Sequence, residues 1–246
     1  MATRYKITIE YFGTNFVGWQ KQNNGLSIQE AIENAIFQFS QNKVCVTASG
    51  RTDAGVHALG QVAHFDMPKF YPPQTITNAI NHFTKKLNIS ILETSFVDQN
   101  FHSRFSAVKR HYIYKIINRH SQLTIHKNLA CLVKQPLNIN AMSRGAKFLE
   151  GTHDFTSFRA SFCQAPSPIR SIDKIEIVKS EDEINISFSA RSFLHHMVRN
   201  IVGTLLLVGI EKLKPVDIKK ILEAKSRLCA GPTAPACGLY LTRIDY

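Results

Sequence analysis

The stretch VCVTASGRTDAGVHALGQVAHFDM, residues 44–67, decides the fold class. Its ends, VCVTA and QVAHFDM, are short apolar runs of strand type. The glycines and polar residues between them leave room for a loop but none for a helix. A doubly wound parallel sheet needs a helix at each crossover, so consecutive strands of this kind argue for mixed or antiparallel sheets in an α+β fold. Neither G-x-G-x-x-G nor G-x-x-x-x-G-K-[ST] occurs anywhere in the 246 residues, which disfavours a dinucleotide fold and a P-loop NTPase.

Upstream, YKITIEY alternates, with Tyr5, Ile7, Ile9 and Tyr11 on one face of an expected half-buried strand. SIQEAIENAIFQF then offers Ser27 as a helix cap, Glu30 three residues on, and Ile28, Ala31, Ile32, Ala35, Ile36 and Phe39 along one face. Downstream, Ile76, Ile80, Phe83 and Leu87 carry helical spacing through residues 75–87, and ISILETSFV reads as a strand. KRHYIYKII, residues 109–117, has apolar members on both faces, the mark of a central strand. The remaining pattern predicts a helix over 140–149, a strand pair IDKIEIVK and EINISFSA turning through SED, and a long buried helix over 192–210. Pro215 suits the first turn of a short helix, and GLYLTRIDY closes the chain as a strand. Each half mixes strands with at least two helices, and no linker rich in Pro, Gly or Ser divides them. Counting elements puts a boundary near residue 103, giving an N-terminal α/β subdomain over 1–103 and a C-terminal one over 104–246.

Thirty Lys and Arg against eighteen Asp and Glu give a net charge of +12 and a pI near 9.6. That balance attracts a polyanion, and nucleic acid is the first partner to consider. The five cysteines form no C-x-x-C pair, and their odd number suits a reducing compartment, the cytosol. The charged start MATRYKITIE lacks the apolar core of a signal peptide. The longest apolar run, Ile201 to Ile210, is about half of the ~20 residues a membrane span needs, so no membrane association is expected.

The loop inside the opening stretch carries the chemistry. Gly50 and Gly55 allow it to turn sharply. Arg51 and Asp53 stand two apart, so on extended chain both side chains reach one cleft, and the guanidinium would hold the carboxylate ionised. An ionised carboxylate serves as nucleophile or general base. The same residues also fit a turn-forming aspartate beside a solvated arginine. Tyr112, in the basic and aromatic KRHYIY, suits a stacked base as well as a strand core. Arg199, in FLHHMVRNIVG, is either buried against an anion such as Asp53 or set at a helix edge with its head in water. His195 and His196, adjacent on the expected helix, would point about 100° apart, and no metal-binding spacing occurs elsewhere; no metal site is expected. Cys163 has no evident base partner.

GRTDAGVHALGQVAHF, NFHSRFSAVKRHYIYKI, DFTSFRA, FLHHMVRNIVG and GPTAPACGLYL, in this order over nearly the whole chain, resemble the tRNA pseudouridine synthase A (TruA) family. The resemblance implies an enzyme that isomerises uridine to pseudouridine at positions 38, 39 and 40 of the tRNA anticodon arm, without metal or cofactor. It implies a homodimer with one tRNA spanning both subunits. In each chain, two α/β subdomains would have largely antiparallel sheets joined beneath a basic central cleft. Matched residue by residue, Asp53 in RTDAG is implied to be the catalytic aspartate. Arg51 corresponds to an arginine that helps extrude the target nucleotide, Tyr112 to a tyrosine that packs on the uracil, and Arg199 to the basic partner of the aspartate. Among the basic residues outside these positions, Lys109, Arg110 and Lys115 are candidates for phosphate contacts.

Overall fold

The computed structural model describes residues 2–246. The N-terminal alternation becomes strand β1 (Thr3–Tyr11), with Tyr5, Ile7, Ile9 and Tyr11 all buried. Helix α1 (Ile28–Ser40) starts where its cap predicts: Ser27 Oγ accepts from the Glu30 N–H at 3.1 Å, satisfying one of the orphan donors of the first turn. Its apolar stripe, Ile28, Ala31, Ile32, Ala35 and Ile36, is buried, while Phe39 is half-buried. Of VCVTA, only Thr47 and Ala48 form strand β2; the run that follows the loop is longer than its sequence signal, β3 (His57–Met67). Helix α2 (Pro73–Thr84) and strand β4 (Ile89–Phe96) follow.

β1 lies between β3 and β4, antiparallel to both, and pairs Tyr5 with Phe65 and Ile7 with Ala63. This register puts the buried side of β1 beside the buried side of β3.

The second half opens on β5 (Lys109–Asn118), flanked by β6 (Cys131–Val133), which runs parallel to it. Helix α3 (Ile139–Lys147), capped by the Asn138 side chain, and strand β7 (Gly151–Asp154) follow. The strand pair joined through SED is β8 (Ile169–Ser180) and β9 (Glu183–Ala190), with Ser180 opposite Glu183 and Glu181 in the left-handed region at the turn. The antiparallel order is β5–β9–β8–β7. Helix α4 is shorter than its apolar pattern suggests. It runs Met197–Gly209, because His196 takes a left-handed conformation (φ 59°) that ends the preceding turn instead of extending the helix. Helix α5 (Asp217–Glu223) follows Pro215. The closing strand is β10 (Leu239–Asp245).

The fold is α+β with mixed, mainly antiparallel strands, and it divides into two compact units. One runs through Val108 and takes back Tyr240–Tyr246; the other is Lys109–Leu239. A division at 103 with everything later in the second half therefore differs from the structure in where the chain ends. β10 pairs parallel with β3 at Tyr240–His57 and Leu241–Ala58, and the Val108 N–H donates to the Asp245 carbonyl at 2.8 Å. Among the described residues, no helix is long and apolar enough to cross a membrane.

Candidate active site

In the first unit, the loop between β2 and β3 is held by its backbone. The Ser49 N–H donates to the Val62 carbonyl at 2.8 Å, and Ser49 Oγ donates to Gln61 Oε1 at 2.9 Å. Gln61 Nε2 donates to the Gly50 carbonyl at 2.9 Å. The Thr52 carbonyl accepts from the Trp19 N–H at 3.0 Å, and its buried hydroxyl meets Tyr11 Oη at 2.7 Å. A turn then closes from the Val56 N–H to the Asp53 carbonyl at 3.1 Å, with Gly55 at φ 78°. A positive φ at that position is what glycine supplies without strain. Thr52 thus points inward, while its neighbours Arg51 and Asp53 are exposed and half-buried.

The structure corrects two expectations about this loop. Gly50 lies outside the left-handed region and has nothing within 4 Å of where a Cβ would stand, so it is no hinge. Besides Gly55, two required glycines come from the preceding segment. At Gly18 (φ 108°) a Cβ would stand 2.7 Å from the Thr52 carbonyl oxygen, and at Gly13 it would overlap the Val56 carbonyl. The second correction concerns Arg51. It pairs with no carboxylate among the described residues, so the expected Arg51–Asp53 ion pair is not formed. Two further supports were not visible in the motif. His57 is stacked between Phe12 and Tyr240, at 4.9 and 4.7 Å between ring centroids, and its Nδ1 accepts from the Gly13 N–H at 3.0 Å. That bond puts the proton of the neutral ring on Nε2. Burial pushes the Tyr11 phenol up to about 12, so it stays protonated as a structural hydrogen-bonding group.

On the other face of β3, His64 is buried, and its Nδ1 accepts from the Ser103 N–H at 3.2 Å. Burial, with the neighbouring His102 and Arg4 charges, lowers its pKa to about 4.

In the second unit, Tyr112 lies near the start of β5, opposite Phe188 of β9, and its ring meets Phe193 edge-on at 5.3 Å. It is half-buried, whereas Tyr114, two residues on, is fully buried with Oη donating to the Pro235 carbonyl at 2.8 Å. Arg199, half-buried in the first turn of α4, is fixed at both ends of its residue. Nε donates to the Ala234 carbonyl at 2.8 Å, and its own carbonyl accepts from the Ala234 N–H at 3.1 Å. Beside it, the fully buried Asn200 donates to the Phe158 carbonyl at 2.8 Å and accepts from Thr233 Oγ1 at 2.6 Å and Arg227 Nη2 at 3.2 Å. This network ties Gly231–Pro235 to α4.

His195 and His196 precede α4 instead of riding on it, and their rings lie 4.0 Å apart between centroids. The helical geometry that separated them in the sequence reading therefore does not apply. Of the three candidate phosphate ligands, Lys109 forms an ion pair with Asp173 at 2.9 Å, and Arg110 is buried, with Nη1 donating to the Arg191 carbonyl at 2.6 Å. Lys115 is half-buried.

A sequence model of the family described as "tRNA pseudouridine synthase" matches residues 7–106 and 146–246. The chain is similar to the tRNA pseudouridine synthase A of Ehrlichia chaffeensis, 54% identical over 244 residues, covering 99% of this chain and all of the relative. It is also similar to the protein of the same name from Ehrlichia canis, 53% identical with the same coverage. A chain from the crystal structure of a Cbf5-Nop10-Gar1 complex aligns over 97% of this chain and 47% of its own length. Its TM-score of 0.33 and 11% identity are too low to bear on the fold.

Proposed function

The chain belongs to the tRNA pseudouridine synthase family, and from that premise we propose that it isomerises uridines 38, 39 and 40 of the tRNA anticodon arm with Asp53 as its catalytic carboxylate. The observation that carries the reading is the loop itself. Its backbone is tied down on both sides of Asp53, and the carboxylate is left half-buried at its turn. A group meant to meet a substrate atom needs that combination of fixed main chain and presented side chain.

The reaction breaks the bond from N1 to C1′, turns the detached uracil and joins C5 to C1′; the hydrogen on C5 leaves to water and N1 gains one. No oxidant, reductant or cofactor enters this balance. Asp53 acts by attacking C1′, by attacking C6 of the ring, or by removing the C2′ proton. Each route requires its ionised form. A uridine stacked in the anticodon stem must first leave the stack, at a cost of a few kcal/mol. Arg51, exposed and without a carboxylate partner, is suited to fill the vacated space and meet phosphate. Tyr112 is proposed to stack on the uracil while it is detached, and Arg199 to be the basic residue that serves the aspartate; both roles come from the resemblance in KRHYIY and HHMVRN. Two copies of the chain are proposed to share one tRNA, in the cytoplasm. The five free cysteines suit that compartment, and the charge of +12 suits the tRNA.

Digestion of a reacted, unmodified tRNA transcript to nucleosides tests the reading. Pseudouridine should appear at 38–40 with no free uracil, and Asp53→Asn should yield none while binding tRNA as the parent does. Release of free uracil would make the protein a glycosidase. An unchanged Asp53→Asn variant would remove the carboxylate from the chemistry. Arg51→Lys should lose more turnover at the stem positions 39 and 40 than at the loop position 38; equal losses would count against its part in extrusion.

A further inference from the structure

Phe105 is 72% exposed, yet the turn that carries it is bonded at several points. Ser103, fully buried, anchors it: its N–H donates to His64 Nδ1 at 3.2 Å, its hydroxyl to the Thr47 carbonyl at 2.7 Å, and its carbonyl accepts from Tyr246 Oη at 2.8 Å. His102 closes the turn. Its carbonyl accepts from the Ser106 N–H at 2.9 Å, its N–H donates to Ser106 Oγ at 3.0 Å, and its Nδ1 accepts from the Arg104 N–H at 3.1 Å. What this framework holds out is a cation and an aromatic ring. The Arg104 guanidinium carbon lies 5.5 Å from the centre of the Phe105 ring, and the His102 ring lies 4.4 Å from it.

A single exposed apolar side chain is ordinary. Phe162 is more exposed still, at 92%, but no cation lies over its ring among the described residues. Phe105 differs in being displayed on a bonded turn next to Arg104. The Arg104 guanidinium lies over this ring, which is nevertheless largely exposed, and an exposed ring carrying a cation is the pairing that receives an unstacked nucleobase and its phosphate. The turn is also joined to the candidate site through the chain itself, because Thr47, which accepts the Ser103 hydroxyl, begins the strand that runs into the Asp53 loop.

We infer that Phe105 stacks on an unpaired base of the bound RNA and that Arg104 meets the adjoining phosphate. This deepens the proposed function and rests on it, since it takes the RNA to be the tRNA substrate.

The test measures binding of the full-length protein to an unmodified tRNA transcript over a series of salt concentrations, with sedimentation and melting of each variant alongside. Phe105→Ala and Phe105→Leu should both weaken binding by about fivefold to a hundredfold, the effect of one lost stack, with the salt slope unchanged. Phe105→Trp should keep the affinity. Arg104→Gln should lower the slope of log K against log salt by about one. Phe105→Leu keeps an apolar side chain of similar bulk, so its loss would mark the ring and not a folding defect. The inference is overturned if both ring-deleted variants bind as the parent does. It is also overturned if their weakening comes with a changed sedimenting mass, which would make Phe105 a contact between copies of the chain. If the parent itself makes no pseudouridine, the functional reading fails first; if the parent is active and the variants bind normally, this inference alone fails.

Discussion

The Asp53 loop and the start of α4 differ in what their hydrogen bonds hold. In the loop the main chain is fixed: carbonyls of Gly50 and Thr52 are bonded, Thr52 is buried against Tyr11, and Asp53 projects from a turn. At α4 the side chain itself is fixed, with Arg199 Nε held on the Ala234 carbonyl and the strap around Ala234 held by the buried Asn200. A short carboxylate has little reach, so its position is set by its backbone. A long guanidinium has rotamers to lose, so it needs a bond of its own to stay in one place. The loop should therefore be sensitive to changes in the chain that packs under it, and the α4 region to changes in side-chain hydrogen bonding.

Gly18→Ala should break the first arrangement most severely. An alanine at φ 108° is strained, and its Cβ would press on the Thr52 carbonyl. Together these should cost about 3 kcal/mol of stability and lower turnover at least about tenfold. Gly50→Ala, with open space around the new methyl, should leave both nearly unchanged, so equal effects of the two substitutions would refute the clamp. The next largest effect concerns His64, behind the same strand. Its pKa is near 4 in the folded chain against an ordinary value of 6.5, so the unfolded chain takes up a proton first as pH falls. Stability is full above about pH 6.5 and declines toward pH 4, by up to about 3 kcal/mol. Urea unfolding at pH 7.5 and 4.5 should show this loss in the parent and a smaller one in His64→Gln; parallel losses would contradict it. The smallest effect tests α4. Asn200→Ala strips a partner from Phe158, Thr233 and Arg227 and should cost about 2 kcal/mol in urea unfolding. Unchanged stability in Asn200→Ala would mean that the network does not hold the strap.

Much of this contrast was legible in the residues, and the misses have physical causes. Ser27 with Glu30 fixed the start of α1, and the two apolar runs around SED fixed the β8–β9 pair, because capping and alternation are local signals. The turn at Asp53 was legible from Gly55. Its supports were not, since Gly13, Gly18 and Tyr11 act from some forty residues upstream and their motif carries no sign of what they pack beneath. The apolar spacing over 192–210 overran the true helix because periodicity does not register the left-handed His196 or the His195 carbonyl, which accepts from the Ala160 N–H at 2.9 Å. GLYLTRIDY reads plainly as a strand, but period two does not name a strand's neighbour, and here that neighbour is β3 in the first unit. Lys109 and Arg110 looked available for phosphate because charge in a sequence says nothing of Asp173 or of burial.

The central claim is that the Asp53 carboxylate drives an isomerisation at uracil C5. Tritium release from an unmodified tRNA transcript labelled at C5 reports that bond formation directly. The parent should release tritium to water from uridines 38–40, and Asp53→Asn, binding the same transcript equally well, should release at least about a thousandfold less. Release undiminished in Asp53→Asn, or none from a parent that binds tRNA, would contradict the account.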